Sequence, residues 1–237
     1  FSFVVNDFLM KSVFDDLSIF QAILLRGLFV CPVLLFFCIK KGQLLVALSA
    51  KDWRIISLRT LLEILITFSF IYALANLTLA HVTAILQSIP LILTFIAAVI
   101  LSEPVGWRRW LAVCVGFVGV LLIIKPGLDG FSLFSLSALC SAILISIRDV
   151  ITRGLSADVP SLFVAIITAV AITLTGGILM LFSPWQSPSA LNIGFIIAAA
   201  FALPVAYFLS IAAVRVGDVS FVTPFRYTAV IFATLLT

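Results

Sequence analysis

The sequence predicts an all-α integral membrane protein whose two halves are related and cross the bilayer in opposite directions. Three observations carry that expectation. Of 237 residues, 64% are hydrophobic and 10% charged, and the mean hydropathy is +1.34, more apolar surface than a soluble domain of this size can bury. The apolar residues fall into nine stretches near the ~20 residues that cross a ~30 Å hydrocarbon core. An internal repeat then relates the first set of stretches to the second.

By hydropathy the spans run from Phe1 to Val13, Leu17 to Ile39, Ile55 to Leu74, Leu79 to Leu101 and Trp110 to Ile124. The second set runs from Leu133 to Ile151, Leu162 to Phe182, Ile193 to Val214 and Val219 to Thr237. Helices are required because each backbone polar group in lipid needs an internal partner. The first and last spans are incomplete, so the chain reads as a fragment. Connecting loops are short, leaving no separate extramembrane domain.

Orientation follows from basic residues at the span ends. Lys40, Lys41, Lys51, Arg54, Arg108, Arg109, Arg153 and Arg215 lie on even-numbered loops, against Lys11 and Lys125 on odd ones. That bias puts the even loops and the N-terminus in the cytoplasm, with the protein in the cell's inner (plasma) membrane. Trp53, Trp107, Trp110 and Trp185 lie at span ends as interface anchors. Cys31, Cys38, Cys114 and Cys140 sit in apolar stretches without CxxC spacing and read as reduced packing residues. The net charge of +4 forms no run or aromatic-interleaved patch, so nucleic acid is excluded as a partner.

A shift of 142 residues lays Asp7 to Lys11 on Asp149 to Arg153, Asp16 on Asp158, and Ala22-Ile23 on Val164-Ala165. A shift of 137 lays Ala80 to Thr83 on Gly217 to Ser220 and aligns the third and fourth spans with the eighth and ninth. Five spans per repeat is an odd number, so the second copy enters from the opposite side. Inverted repeats of this kind suit alternating access about a site near the midplane.

The stretch Ala80-His-Val-Thr-Ala-Ile-Leu-Gln-Ser-Ile-Pro90-Leu, with Glu103 in Leu-Ser-Glu-Pro104, resembles the EamA family of the drug/metabolite transporter superfamily. Gly116-Phe-Val-Gly119 is similar to that family's fifth helix. Gly217-Asp-Val-Ser-Phe-Val-Thr-Pro224-Phe-Arg-Tyr-Thr228 is similar to members that carry S-adenosylmethionine or riboflavin. The resemblance implies a ten-helix bundle of two five-helix EamA repeats, residues 1–126 and 127–237, with the tenth helix missing here. It also implies a secondary carrier of a small organic metabolite, with no cofactor and no catalytic residue.

Ionisable groups within spans cost about 2.5–3.5 kcal/mol each and need a partner, a wet cavity or a route to the interface. Arg26, Arg226 and Glu63 lie roughly 12–14 Å from their span ends, close to the midplane. The two arginines read either as a cationic lining for a carboxylate or phosphate of the substrate, or as buried pairs that position helices. Neither is repeated, since Arg26 maps to Thr168 and Arg226 to Ile89; an asymmetric ligand would produce that pattern. The arginines favour a zwitterionic or anionic metabolite such as an amino acid derivative. Glu63 reads either as a carboxylate coupling a proton to transport or as a local partner of Arg59, four residues before it. Asp7 with Lys11, and Asp149 with Arg153, read either as the two gates of alternating access or as pairs at helix ends. Asn6, Gln87, Tyr207 and Tyr227 can orient a ligand or join helices. Pro90, Pro204 and Pro224 are expected to interrupt helices, and His81 to sit at the outer interface.

An enzyme would need a nucleophile with its base, a metal set or paired carboxylates. One histidine with no HExxH and no GxSxG excludes that class here. A channel is disfavoured by the internal repeat, while a non-transporting receptor or scaffold stays as the alternative, beside a drug or riboflavin exporter or importer of the same family. The expected partners are the substrate, the lipid bilayer, a coupling ion such as H⁺ and a second copy in a homodimer.

Overall fold

Serine and threonine caps at the loop ends decide where several of these helices begin. The computed structural model describes residues 2–44, 46, 48–99 and 132–216, with isolated positions between 106 and 119 and at 232 and 233. The helices are α1 (Ser2–Phe14), α2 (Ile19–Lys40), α3 (Ala50–Asn76), α4 (Leu79–Leu86), α5 (Ile89–Val99), α6 (Leu133–Thr152), α7 (Ser161–Met180) and α8 (Ala190–Val216). Among the described residues no strand occurs. Among the described residues six segments are long and apolar enough to cross a membrane: Ile19–Lys40, Ala50–Asn76, Leu79–Ile96, Leu133–Thr152, Ser161–Met180 and Ala190–Leu209. Arg226, Tyr227, Glu103, Pro224 and most of the expected fifth and ninth spans lie outside the described residues.

The caps are specific. Ser18 Oγ accepts from Gln21 N at 3.3 Å to open α2, and Thr78 Oγ1 accepts from His81 N at 3.3 Å to open α4. Each takes up one of the donors that a helix leaves unpaired in its first turn. α2 ends where Gly42, at φ +62°, lets Gly42 N reach Ile39 O and Gln43 N reach Cys38 O, both at 2.9 Å. This is the paired closure that a left-handed residue after a helix makes possible.

α3 begins five residues before the expected span, because Ser49 and Asp52 cap it across a polar stretch that hydropathy cannot see. Ser49 Oγ accepts from Asp52 N at 3.1 Å and donates to Asp52 Oδ2 at 2.6 Å. The same carboxylate accepts from Ser156 N at 3.0 Å and Ser156 Oγ at 2.8 Å, which ties the loop after α6 to the start of α3. Replacing Asp52 with alanine should lower the thermal unfolding midpoint in detergent, because the hydrogen bonds from Ser49 and Ser156 to its carboxylate are lost together. An unchanged midpoint would refute the tie.

The fourth span is broken. Gln87 N reaches back only to Ala84 O (3.2 Å) and Ser88 N to Ile85 O (3.0 Å), after which Ile92 N resumes to Ser88 O at 2.9 Å. Pro90 falls in the first turn of α5, where its missing N–H costs nothing. Pro204 corrects the expectation of an interruption, since α8 runs through it as one helix. Membrane helices accept an interior proline when their neighbours re-satisfy the freed carbonyl.

The chain divides into two compact units, one of residues Phe1–Ile64 with Ile151–Val216 and one of Leu65–Val150 with Gly217–Thr237. In the first unit α2 packs along α7 and α1 along α8. Val30, Leu34, Cys38, Ile56, Val164, Ala165 and Ala200 are part of its core. The α2–α7 contact depends on glycine: a Cβ at Gly27 would lie 2.6 Å from Thr173 Cγ2, and one at Gly176 would lie 2.8 Å from Ile23 Cγ2. Small residues at a crossing let helix backbones approach closely in a bilayer, where the hydrophobic effect does not press helices together.

The outer surfaces are apolar. Leu28, Phe36, Leu61, Leu174, Phe201 and Leu209 are all more than half exposed, while Gln21, Arg26, Arg59, Glu63, Thr168 and Thr173 are buried. Polar groups inside and hydrocarbon outside is the distribution that lipid requires. The four tryptophans are exposed, as interface anchors should be. In the second unit, Ile89, Leu93 and Ala142 pack together, Ser137 Oγ donates to Ser69 O at 2.8 Å, and half-buried His81 lies 3.5 Å from Ser135 Oγ.

Candidate functional site

The buried stripe of α2 is Ala22, Ile23, Arg26, Gly27, Val30, Leu34 and Cys38, the three-and-four spacing of one helix face. Arg26 is the only charged side chain on it, two turns in from the Ser18 cap. Its Nη1 donates to Asn6 Oδ1 on α1 at 3.4 Å, and Asn6 Nδ2 donates to Asp7 Oδ1 at 3.0 Å. The amide therefore has a fixed orientation, oxygen toward the cation and nitrogen toward the carboxylate.

Beside this chain lies a small pocket whose lining includes Arg26, Gly27, Val30, Thr173, Leu203 and Tyr207. It has about 10 Å³ for water centres, room for about one water molecule. Tyr207 closes one wall, with Phe3 edge-on against its ring at 6.1 Å and 90°. Cys31 Sγ and Thr173 Oγ1 meet at 3.5 Å next to it, and Thr173 Oγ1 also donates to Ala169 O at 2.7 Å.

A second polar cluster joins α3 to α7. Arg59 Nη1 donates to Thr168 Oγ1 at 2.8 Å, and Arg59 Nη2 stands 3.9 Å from Glu63 Oε2. Both side chains are almost wholly buried. Thr168 Oγ1 itself donates to Val164 O at 2.8 Å. Thr60 Oγ1, on the same helix, is buried with no hydrogen-bond partner among the described residues.

Of the sequence candidates, Arg26, Asn6 and Asp7 come together, with Tyr207 beside them. Glu63 is in the Arg59 cluster. Gln87 is half-buried in the break between α4 and α5, and Lys11 is half-buried in the last turn of α1. Asp149 is bound by its neighbour Arg148, through Nε at 3.0 Å and Nη2 at 2.6 Å, a partner that the expected pairing with Arg153 left out. Arg153 lies in the turn after α6. Arg148 was findable, because the 142-residue shift sets it on Asn6. Arg59 and Thr168 were visible only as the neighbour of Glu63 and the counterpart of Arg26, and nothing in hydropathy says that they meet.

Membrane-length helices, a hydrocarbon exterior and guanidinium and carboxylate groups held inside define a multi-pass α-helical membrane protein. Residues 1–125 match the EamA-like transporter family, and the chain belongs to that family. It is 24% identical over 231 residues to the S-adenosylmethionine uptake transporter of Rickettsia prowazekii (strain Madrid E), covering 98% of this chain and 78% of that one. It is 30% identical over 146 residues to the riboflavin transporter of Vibrio cholerae serotype O1, covering 61% and 48%. A solved crystal structure superposes with a TM-score of 0.74 over 99% of this chain and 85% of that chain at 19% identity, which is a likeness of fold.

Proposed function

We propose that this protein is a secondary transporter of a small zwitterionic or anionic metabolite, working by alternating access between two inverted five-helix repeats, residues 1–126 and 127–237. The observation that carries the reading is a contact between counterparts. The 142-residue shift sets Cys31 on Thr173, and these two residues touch at 3.5 Å. When two copies are related by a two-fold axis, a residue meets its own counterpart only at that axis. Gly27 with Ala169 and Val30 with Ile172 are also counterparts, and all four line the Arg26 pocket. These contacts support the reading that the pocket is the substrate site between inverted repeats.

Arg26 supplies the cation for a carboxylate or phosphate on the substrate. Its counterpart Thr168 carries no charge, so the two repeats differ at a position where an asymmetric ligand needs a charge. Asp7 with Lys11 and Asp149 with Arg153 occupy equivalent positions in the two repeats, which inversion sets one toward the outer and one toward the inner side, and they fit a role in gating. An ion gradient such as H⁺ is the proposed driving force, with the N-terminus in the cytoplasm.

The full chain in proteoliposomes should take up S-adenosylmethionine, riboflavin or amino acids from a mixed panel with saturation, and faster with a pH gradient. Arg26→Ala should lower uptake of an anionic or zwitterionic substrate about tenfold or more, as loss of a charge-assisted bond does. Uptake by the variant at the unaltered rate would remove Arg26 from the site.

A further inference from the structure

We infer that the turns after α1 and α6 are clasped to the starts of α8 and α3 by a matched pair of joints that stay closed throughout transport. This rests on the alternating-access reading above and deepens it, by naming what does not move. The juxtaposition is Asp16 with Asn192 at one clasp and Ser156 with Asp52 at the other.

The two clasps are built alike. α3 and α8 are both 27 residues long and begin at Ala50 and Ala190, so a shift of 140 lays their first turns on each other. The same shift sets Ser49 on Ser189, Asp52 on Asn192 and Ile56 on Ile196. Ser49 Oγ accepts from Asp52 N and Ser189 Oγ from Asn192 N, both at 3.1 Å. From that shared cap each helix sends a side chain to a turn of the other repeat. Asn192 Nδ2 donates to Asp16 Oδ2 at 3.1 Å, and Asp52 Oδ1 accepts from Ser156 N at 3.0 Å and Ser156 Oγ at 2.8 Å. Behind each polar contact lies an apolar one. Val13 and Leu17 share a core with Ile196, and their counterparts under the 142-residue shift, Leu155 and Val159, share one with Ile56. The polar partner on the turn is out of register, since Asp16 maps to Asp158 while the bond comes from Ser156.

Symmetry then separates contacts that move from contacts that stay. In a carrier of two inverted repeats, the outward-open and inward-open states exchange the roles of the repeats. A contact made by both repeats in one structure is therefore present in both states. An occluded protein with two closed gates would also show a matched pair, and packing distinguishes the cases. α1 meets α8 from Phe3 on Tyr207, through Met10 and Val13 beside Ile196 and Ala199, to Asp16 on Asn192, a length of roughly 20 Å at ~1.5 Å per residue. Gln21 on α2 adds a third element, its side chain donating to Gln186 O and accepting from Gln186 N at 3.0 Å. A gate must open to water, whereas Val13 and Ile196 are fully buried and Ile56 and Val159 nearly so. Parting the first clasp would unzip a whole helix pair, so the gates lie elsewhere.

The test is cross-linking. In a chain whose cysteines Cys31, Cys38, Cys114 and Cys140 are replaced by alanine, the pairs Asp16→Cys/Asn192→Cys and Asp52→Cys/Ser156→Cys would each be joined by a short bifunctional thiol reagent. Uptake into proteoliposomes from the panel of S-adenosylmethionine, riboflavin and amino acids is read before and after joining in the same preparation. Each joined protein should keep its uptake rate. Loss of uptake on joining either pair would make that contact a gate and overturn the joints while transport stands. Hydrogen exchange on the unaltered chain needs no variant to fold: peptides covering residues 153–159 and 189–196 should stay equally protected with and without the panel compound that is taken up. Faster exchange in either peptide when that compound is added would likewise overturn the joints. If the unaltered chain takes up nothing in the panel with saturation, the transport reading falls and this one with it.

Discussion

Replacing Arg59 with methionine should destabilise the protein by about 3–5 kcal/mol, the cost of stripping one partner from a buried ion pair. The reason is that Glu63 lies 3.9 Å from Arg59 Nη2 with both side chains almost fully buried, so the variant leaves a carboxylate inside a span beside an apolar side chain. Thr168 loses a 2.8 Å donor as well, though it keeps its own bond to Val164 O. The double variant Arg59→Met/Glu63→Leu removes both charges together and should recover most of the loss, because well-packed apolar pairs replace buried ion pairs at little cost. Thermal unfolding in detergent measures the cycle. A single variant within about 1 kcal/mol of wild type would show that the pair contributes no more than an exposed one.

The same two proteins bear on coupling. If the double variant unfolds like wild type and still responds to a pH gradient, Glu63 is a structural partner of Arg59. If it folds and loses that response, Glu63 carries the proton and the sequence reading of a coupling carboxylate holds. Stability and transport then separate two roles that one static distance leaves together.

Hydropathy located the membrane helices well wherever the span ends are apolar. α6 and α7 begin and end within two residues of the expected stretches, since Leu133 and Leu162 follow sharp polar-to-apolar steps. It failed where a helix continues into polar residues. The start of α3 is fixed by Ser49 and Asp52, whose hydrogen bonds outweigh an unfavourable hydropathy. The presence of a proline does not fix its effect, which depends on register. In the first turn of α5, Pro90 costs no hydrogen bond, and inside α8 Pro204 leaves the helix continuous.

Site residues were legible as depth and not as direction. A charge nine residues into a span is near the midplane whatever it faces, so Arg26 and Glu63 stood out from the sequence. That Arg26 meets Asn6 on α1, and that Arg59 meets Thr168 on α7, depends on how helices are rotated against each other. Intramembrane rotation is set by small-residue contacts such as Gly27 on Thr173, and nothing in an apolar sequence ranks one such contact above another. Arg148 on Asp149 is not legible in helical spacing, because neighbours on a helix point about 100° apart. The long arginine stem turns back to bridge that angle.

Gly27→Ala should be among the most damaging single substitutions available to α2, costing about 1–3 kcal/mol or more as overpacking does. The added methyl would collide with Thr173 Oγ1 and stand 2.6 Å from Cγ2 and 2.7 Å from Cβ of the same residue. Thr173→Ala cannot relieve it, since the Cβ remains. Thr173→Gly can, by moving the missing methyl from one helix to the other, and the pair Gly27→Ala/Thr173→Gly should regain most of the lost stability. The repeat supplies a control at the counterpart position: Ala169→Gly removes a methyl and creates no clash, so it should cost only the ~1 kcal/mol of a glycine in a helix. A Gly27→Ala protein that unfolds at the wild-type temperature would mean that α2 and α7 can slide apart freely, and a contact so easily loosened could not hold the wall of the Arg26 pocket that Gly27 and Thr173 form.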